Sequence, residues 1–260
     1  MQRCEREGIE YLVFDLLEGV TTHAIFTRHG GTSPDPWRSL NVGRTVGDDP
    51  ERVEENKRRA FESLGCDPAS RYDVWQVHGV EVAVADAPRP SRPPIPQADA
   101  VLTDRPGVTL FMRFADCVPV MLFDPRRRVV GMVHAGWMGT VAGIVGHAVK
   151  RMEQDFGSKA RDVLAAIGPS IGPDHYEVGQ AVVEKVRQVF GEDSSSLLPE
   201  SQGRVHFDLW QANRLLLERA GVRQVELARL CTACEVRDFY SHRLEQGRTG
   251  RFGALIALAG

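Results

Sequence analysis

The sequence predicts an α/β protein, with one domain over residues 1–260, a mixed central β-sheet and helices layered on its faces. Nearly continuous apolar runs at 108–111, 118–123 and 129–133 are typical of strands buried on both faces. Segments with apolar residues at helical spacing flank these runs. The chain of 260 residues is also long enough to bury a sizeable core.

The first third of the chain alternates strands with turns. Residues 11–17 and 24–27 are predicted strands. Asp49 and Pro50 are predicted to be the N-cap and first residue of an amphipathic helix that runs to Leu64. This pattern places helical structure early, before the central apolar runs.

Short strands are predicted at 74–78 and 80–84, followed by a proline-rich stretch at 87–97. Because proline cannot donate to a strand ladder, we predict an extended surface loop there, within the single domain. The later pattern predicts a helix over 139–156 and a strand over 163–167. Two more helices, one of them capped by Asp208, and a closing strand over 254–259 follow.

Composition narrows the class of protein. The chain is 42% hydrophobic and 26% charged, with a net charge of −3, which gives no support for a nucleic-acid-binding surface. It has neither an apolar run of membrane-spanning length nor an apolar signal core behind its charged start. Five sparse cysteines fit a reducing compartment. We therefore predict a cytoplasmic protein that binds neither membranes nor nucleic acid.

Three potential metal ligands lie at the ends of apolar runs: His78, Cys117 and His134. Two imidazoles and a thiolate on separate elements match a transition-metal site with one open coordination position, as in catalytic zinc sites. Residues this far apart in the sequence have no fixed position relative to one another, so each could also be an ordinary core or turn residue.

The same atoms allow a second chemistry. Cys117 beside a histidine could be the nucleophile of a cysteine hydrolase, with Asp116 or Asn41 orienting the imidazole. The zinc and dyad interpretations compete for identical residues.

Cys231 and Cys234 form a lone Cys-x-x-Cys. It could be half of a zinc site or a redox pair, but no second such motif completes it, and we interpret it as a packed thiol pair. His175 and Glu177 resemble the His-x-Glu of zinc nucleobase deaminases, although Leu230 stands where the partner motif requires proline.

Two glycine-rich turns, at 27–31 and 168–173, could present backbone N–H groups to an anion. Arg28 in the first turn is a candidate phosphate contact, and so is either of two arginines near the C-terminus, Arg243 and Arg251, because guanidinium groups match phosphate geometry. Ordinary structural turns are the alternative.

A wider set of motifs resembles the laccase-domain, or YfiH-type, family in order and spacing over about residue 22 to the end. The motifs are Thr27-Arg28-x-Gly30-Gly31, Ser39-Leu40-Asn41-Val42-Gly43, Gln76-Val77-His78-Gly79, Ala98-Asp99-Ala100, Ala115-Asp116-Cys117, His134-Ala135-Gly136-Trp137, Gly168-Pro169-x-Ile171-Gly172, Tyr176-Glu177-Val178-Gly179, Cys231-Thr232 and Ser241-His242-Arg243. This resemblance implies a YfiH-like fold and zinc, or copper, bound by the two histidines and the cysteine.

The resemblance also implies several activities. Family members carry the names polyphenol oxidase and purine nucleoside phosphorylase, some with adenosine deaminase or methylthioadenosine phosphorylase activity, and others are linked to peptidoglycan-precursor editing. A multicopper oxidase needs many histidines in His-x-His pairs, whereas this chain has eight histidines and no such pair. A single copper with an axial methionine (Met112, Met132 or Met138) remains an alternative.

We therefore predict a zinc-dependent purine nucleoside phosphorylase, with adenosine deamination as a possible second activity and a Cys117 hydrolase as an alternative. Its partners would be small molecules, a purine nucleoside and phosphate. The predicted catalytic residues are Cys117, His134, Glu177, Arg28 and Asn41, and the predicted substrate or phosphate contacts are Arg28, Gln76 and Arg243.

Two residues depart from the family pattern. Met138 stands where arginine commonly follows the His-Ala-Gly-Trp motif, and Phe114 replaces a usual threonine before Ala-Asp-Cys. Loss of a cation beside the site would weaken any phosphate contact made there.

Overall fold

The computed structural model describes residues 1–89 and 94–259. Its strands, numbered β1 to β14 in chain order, are Gln2–Arg6, Ile9–Val13, Thr21–Phe26, Arg71–Tyr72, Val82–Val84, Ala100–Thr103, Thr109–Phe114, Val118–Asp124, Val129–Ala135, Leu164–Ile167, Glu200–Ser201, Arg204–Val205, Gln224–Leu227 and Phe252–Leu258. Its α-helices, numbered α1 to α6, are Pro50–Ser63, Trp137–Val141, Ile144–Phe156, Gln180–Phe190, Ser194–Leu197 and Leu209–Arg219. The predicted α/β class is confirmed.

The long strands divide between two six-stranded mixed sheets, where the sequence pattern suggested one central sheet. The first has the order β1-β2-β3-β14-β7-β4 and the second β13-β10-β8-β9-β6-β5. Both are mainly antiparallel. The first has one parallel pair at an edge, β4 with β7, and the second has a parallel pair at each edge, β5 with β6 and β10 with β13. A non-alternating apolar strand reveals burial on both faces but does not reveal what covers each face.

The core explains why the central strands are apolar on both faces. In β8, Val118, Val120 and Leu122 pack with helices α3, α4 and α6. The alternate residues Met121 and Phe123 pack against strands of the first sheet. Helix α1 covers the opposite face of the first sheet. The layers therefore run α1, first sheet, second sheet, remaining helices.

Side-chain caps and a glycine determine where three of the helices begin. The Asp49 side chain accepts a hydrogen bond from the backbone N–H of Glu51 at 2.8 Å and caps α1, as predicted. Asp208 caps α6 in the same way. The predicted helix over 139–156 is instead two helices, α2 and α3, because Gly143 adopts φ of 81° between them.

The predicted strand at 74–78 is wrong. This segment is irregular, with one bridge from Trp75 to Gln97, and His78 has a left-handed φ of 60° that ends any extended run. In the proline-rich stretch, residues 87–89 and 94–97 lie outside helices and regular strands, and 90–93 fall outside the described residues.

A search of the described residues finds no helix with the length and apolar character needed to cross a membrane.

Candidate metal centre and cationic cavity

The β8–β9 hairpin places two of the predicted ligands side by side. Cys117 immediately precedes β8, and His134 is the penultimate residue of β9, where it lies opposite Pro119. Antiparallel partners directly opposite each other have Cα atoms within about 5.5 Å. Strand register therefore brings a thiol and an imidazole together from positions 17 residues apart in the sequence.

The third ligand depends on a buried carboxylate, Asp99, which precedes β6. Its side chain accepts hydrogen bonds from the backbone N–H groups of Val77 at 3.1 Å, His78 at 3.0 Å and Gly79 at 2.7 Å. These bonds hold the loop that carries His78 in its left-handed conformation. Sequence reasoning missed this role, although Asp99 lies in one of the family motifs.

Asp99 also orients His134. The Nδ1–H of His134 donates to the Asp99 carboxylate at 2.8 Å, and the backbone N–H of His134 donates to the Asp99 carbonyl at 2.7 Å. The Nε2 atom is left free to bind a cation, an arrangement common among metal-binding histidines. Asp116 and Asn41, the orienting groups considered from sequence, do not make this contact.

The pKa shifts of His134 and Asp99 fit a metal ligand and the carboxylate that orients it. Burial lowers the pKa of His134, although Asp99 opposes the shift, so the ring stays neutral as metal binding requires. Burial alone would raise the pKa of Asp99, but the hydrogen bonds from His134 and Gly79 outweigh it and the net shift is downward.

One ligand atom from each of His78, Cys117 and His134 lies within 4.8 Å of the others. Gly136 allows this approach, because a Cβ there would lie 3.0 Å from both Cys117 Sγ and His78 Cδ2. Donors bound to one zinc ion, at about 2.0 to 2.3 Å, are separated by about 3.5 Å, so this donor set fits a metal ion after small side-chain adjustments.

The thiol needs a cation to become a ligand. Burial, reinforced by the nearby Asp116 carboxylate, raises the pKa of Cys117 to about 12. At neutral pH the isolated thiol is therefore protonated, and a bound metal ion would displace the proton.

These three side chains line a cavity of about 620 Å³ with a strongly cationic wall. Pockets of roughly 300 to 1,000 Å³ accommodate small-molecule ligands. The cationic residues in its lining are Arg44, Lys57, Arg71, Arg89, Arg113 and Arg251. Of these residues, only Arg251 was noted from the sequence, as one of two C-terminal arginines suited to phosphate.

Two carboxylates balance part of this charge. Glu54 pairs with Lys57 at 2.8 Å and with Arg71 at 3.2 Å, and Asp73 pairs with Arg89 at 2.6 Å. Cations outnumber carboxylates, so the cavity favours an anionic ligand.

Arg113 and Arg251 make no ion pair within the described residues. The Arg251 guanidinium donates to the carbonyl oxygens of Gly250 at 2.8 Å and Thr249 at 3.4 Å. Arg113 donates to Gln76 Oε1 at 3.2 Å. Burial lowers the pKa of both arginines, yet arginine stays charged near neutral pH. Both cations are therefore available to an anion in the cavity.

Gln76 is the predicted substrate contact that lines this cavity. Its side chain also donates to the Arg113 carbonyl at 2.8 Å and accepts from the Arg113 backbone N–H at 3.1 Å. Gln76 therefore fixes the position of Arg113 as well as facing the cavity.

Asn41 is fully buried outside this lining. Its side chain accepts from the backbone N–H groups of Gly43 and Arg251, at 2.9 and 2.8 Å, and donates to Asp48 at 2.8 Å. Asn41 therefore holds the chain that presents Arg251.

Arg243 and Glu177 lie together outside the cavity lining. The Arg243 guanidinium donates to the Glu177 carbonyl at 2.8 Å and lies 5.1 Å from the centre of the Tyr176 ring. The exposed Glu177 carboxylate pairs with Arg204 at 2.9 Å. These contacts join two loops near the site.

Arg28 lines a different, smaller cavity. It lies 4.4 Å from the centre of the Tyr240 ring and pairs with Glu245 at 3.2 Å. Its guanidinium also donates to the Val236 carbonyl at 2.8 Å.

Asp116 ties the Cys117 turn to neighbouring loops. It has φ of 79°, and its carboxylate accepts from Thr232 Oγ1 at 2.7 Å and from the Arg243 backbone N–H at 2.6 Å. Its carbonyl accepts from the Ile171 N–H at 3.0 Å. Asp116 thus orients the turn before Cys117.

The two departures from the family pattern have different surroundings. The Phe114 ring packs against His134 with centroids 5.5 Å apart. Met138 is exposed and lines a separate apolar groove with Trp137 and Val141. In this structure Met138 therefore does not face the cavity that its commoner arginine was expected to serve.

The chain belongs to the multi-copper polyphenol oxidoreductase laccase family, whose model matches residues 22–259. This confirms the family indicated by the motifs. The chain is 40% identical over 240 residues to the purine nucleoside phosphorylase YlmD of Geobacillus stearothermophilus, covering 88% of this chain and 87% of that protein.

A second relative, the purine nucleoside phosphorylase of Deinococcus radiodurans, is 41% identical over 237 residues, covering 91% of this chain and 88% of that protein. Among solved structures, the hypothetical protein YfiH of Bacillus licheniformis superposes with a TM-score of 0.91 at 34% identity, covering 98% of each chain. The YfiH-like fold is confirmed.

Proposed function

We propose that this chain is a zinc-dependent purine nucleoside phosphorylase of the cytoplasm. The observation that carries the proposal is a cationic cavity, large enough for a nucleoside and phosphate, with a His₂Cys donor set in its wall. The names of the two relatives support the same activity. Free cysteines in the described chain fit a reducing compartment.

Phosphorolysis requires a phosphate oxygen to bond to the ribose carbon that releases the purine. Arg113 and Arg251 would hold the phosphate in the cavity and align it for attack. The zinc, held by His78, Cys117 and His134, supplies a Lewis acid when bound.

The remaining predicted residues help to position the arginines and the zinc ligands. Gln76 holds Arg113, and Asn41 holds the segment that presents Arg251. Arg28, Glu177 and Arg243 join the surrounding loops. Asp99 keeps the Nδ1 proton on His134, so that Nε2 remains the donor.

The test is product analysis with adenosine, inosine and methylthioadenosine. With phosphate present we expect free purine and a ribose 1-phosphate, and without phosphate we expect no free purine. A chelator should abolish turnover and zinc should restore it. Phosphate-independent release of base, or turnover that survives metal removal, would refute the proposal.

Adenosine deamination is a second candidate, favoured by the three-ligand donor set. Zinc sites with three protein ligands leave a fourth position at which water is activated. The same adenosine assay, run without phosphate, should then produce inosine and ammonia. Absence of ammonia would leave phosphorolysis as the sole proposed reaction.

The cysteine-hydrolase alternative has weaker support. A nucleophilic thiolate requires a lowered pKa, whereas burial raises that of Cys117 to about 12. The copper-oxidase alternative lacks an axial methionine among the described cavity-lining residues, because Met112 and Met132 are core residues and Met138 lies in another groove.

Replacing Arg251 with methionine should raise the KM for phosphate. A charge-assisted hydrogen bond contributes about 1.5 to 3 kcal/mol, which corresponds to about a 10- to 100-fold change. The KM for the nucleoside should change little. Arg126→Met is the control, since it removes the same charge from an exposed side chain paired with Asp162. Equal effects of the two variants would contradict the assignment.

Lys57 should make phosphate binding pH-dependent. Burial lowers its pKa to about 8, with Glu54 opposing the shift. The ammonium group is therefore present below about pH 8 and lost above it, so the KM for phosphate should rise between about pH 7 and pH 9. In Lys57→Met we expect the KM to be raised already at pH 7, to approach that of the wild type at pH 9, and to show no Lys57-dependent rise between them. An unchanged pH profile in the variant would exclude Lys57 from phosphate binding.

A further inference from the structure

A second group of potential metal ligands lies outside the cavity. One atom from each of Asp174, His175, Cys231 and Cys234 lies within 4.8 Å of the others. The Cys-x-x-Cys pair has no second such motif in the sequence to complete a metal site. Folding, however, brings an Asp-His pair from 56 residues away in the chain to its side.

Two of the distances match the edges of a coordination tetrahedron. The Nδ1 atom of His175 lies 3.7 Å from Cys231 Sγ and 3.6 Å from Cys234 Sγ. Zinc–sulfur and zinc–nitrogen bonds of about 2.3 and 2.05 Å at a tetrahedral angle give a separation of about 3.6 Å. The Asp174 carboxylate completes the group, 3.1 Å from both Cys234 Sγ and His175 Nδ1.

The surrounding backbone suits a bound thiolate. The Gly172 N–H donates to Cys231 Sγ at 3.2 Å, and such hydrogen bonds stabilise and orient metal ligands. A Cβ on Gly172 would lie 2.6 Å from Asp174 Oδ1 and 3.1 Å from the Cys231 Cβ. A backbone bridge from Ser170 to Cys231 brings the two loops together. Cys231 is buried, whereas the other three residues are exposed enough for an ion to enter.

We propose that Asp174, His175, Cys231 and Cys234 bind one structural zinc ion, separate from the ion in the cavity. Four protein ligands leave no position for water or substrate, which is typical of structural rather than catalytic zinc. The ion would fasten the turn at 172–175 to the turn at 231–234.

The site would also support the neighbouring centre. Thr232, between the two cysteines, donates from Oγ1 to Asp116 at 2.7 Å, and Asp116 precedes Cys117. Zinc at the Cys-x-x-Cys would therefore stabilise the loop contact that orients the Cys117 turn. The second site itself does not depend on the proposed catalytic activity.

Metal counting tests the proposal. The protein is purified under reducing conditions, loaded with zinc, freed of excess metal and measured for zinc per chain. We expect about two ions in the wild type and about one in Cys234→Ser. His78→Ala should also keep about one, and the double variant none. Cys4→Ser, which removes a cysteine far along the chain from either group, should keep both.

Cobalt substitution identifies the ligands. In the His78→Ala background, cobalt should give a thiolate charge-transfer band that Cys234→Ser weakens or abolishes and Asp174→Asn shifts. Chelation should lower the Tm of His78→Ala but leave the double variant unchanged. Equal zinc content in the wild type and Cys234→Ser would overturn the proposal. So would a disulfide between Cys231 and Cys234 that persists under reducing conditions, seen as the loss of both thiols and a mass decrease of two hydrogens.

Discussion

Replacing Cys117 with alanine is expected to remove the metal from the cavity and to lower nucleoside turnover about 10³-fold or more. Loss of a metal ion removes several kcal/mol of transition-state stabilisation, and each 1.36 kcal/mol is a factor of ten in rate. Metal content per chain and kcat/KM for phosphorolysis should fall together. Because Cys117 lies directly before the buried strand β8, circular dichroism should verify that the fold of the variant is intact.

Cys117→Asp separates metal binding from thiol chemistry. A carboxylate can bind zinc but cannot act as a thiol nucleophile. We expect this variant to keep part of its metal and more activity than Cys117→Ala. If the alanine variant kept its cavity metal, the assignment of the ligands would be wrong. If zinc-free wild-type protein were fully active and alkylation of Cys117 inactivated it, a hydrolase would be favoured.

Replacing Asp99 with asparagine is expected to weaken metal binding about 10- to 100-fold, the usual cost of losing a partner of a metal-binding histidine. The amide keeps a single acceptor oxygen, whereas the carboxylate serves three backbone N–H groups and the His134 ring. At least one buried donor loses its partner, and each such loss costs about 1 to 3 kcal/mol of stability. Metal competition with a chromophoric chelator and the Tm of the metal-free protein measure the two effects.

Asp73→Asn is the matched control. Asp73 is also a buried carboxylate and lines the cavity, but it pairs with Arg89 rather than with a metal ligand. Its replacement should alter phosphate binding more than zinc binding. Equal zinc affinities for the two variants would show that Asp99 does not position His134.

The ligands of the candidate metal centre were predicted from their residue types and motifs, and the fold adds a geometric basis for two of them at the ends of consecutive strands. A short turn between 118–123 and 129–133 implies an antiparallel hairpin, and a hairpin places residues 117 and 134 at the same end. His78 was predictable only through its motif, since its loop is irregular and depends on Asp99.

The cationic cavity was not predictable in the same way. Lys57 comes from helix α1, Arg71 from the edge strand β4, Arg113 from β7 and Arg251 from the residue before β14. They share no local pattern, and each alone resembles a solvated surface charge. The division of strands into two sheets was hidden for a related reason, since burial is visible in a sequence but the covering layer is not.

The Cys-x-x-Cys pair is the clearest example of a group whose partners could not be predicted from the sequence. Its sequence neighbourhood offered no second Cys-x-x-Cys and no His-x-His, and His175 was noted for a different motif. The parallel bridge between Ser170 and Cys231 joins the two segments. Long-range pairing of this kind depends on the whole sheet order, which local patterns do not specify.

Strand register and the Asp99 hydrogen bonds hold His78, Cys117 and His134, so the fold fixes the positions of these donors. Imidazole and thiolate donors suit several first-row ions, and divalent copper generally binds such sets more tightly than zinc does. Occupancy in a living cell would then follow which ion the surroundings of the protein make available. Growth medium alone could therefore change the colour and the apparent chemistry of a purified sample.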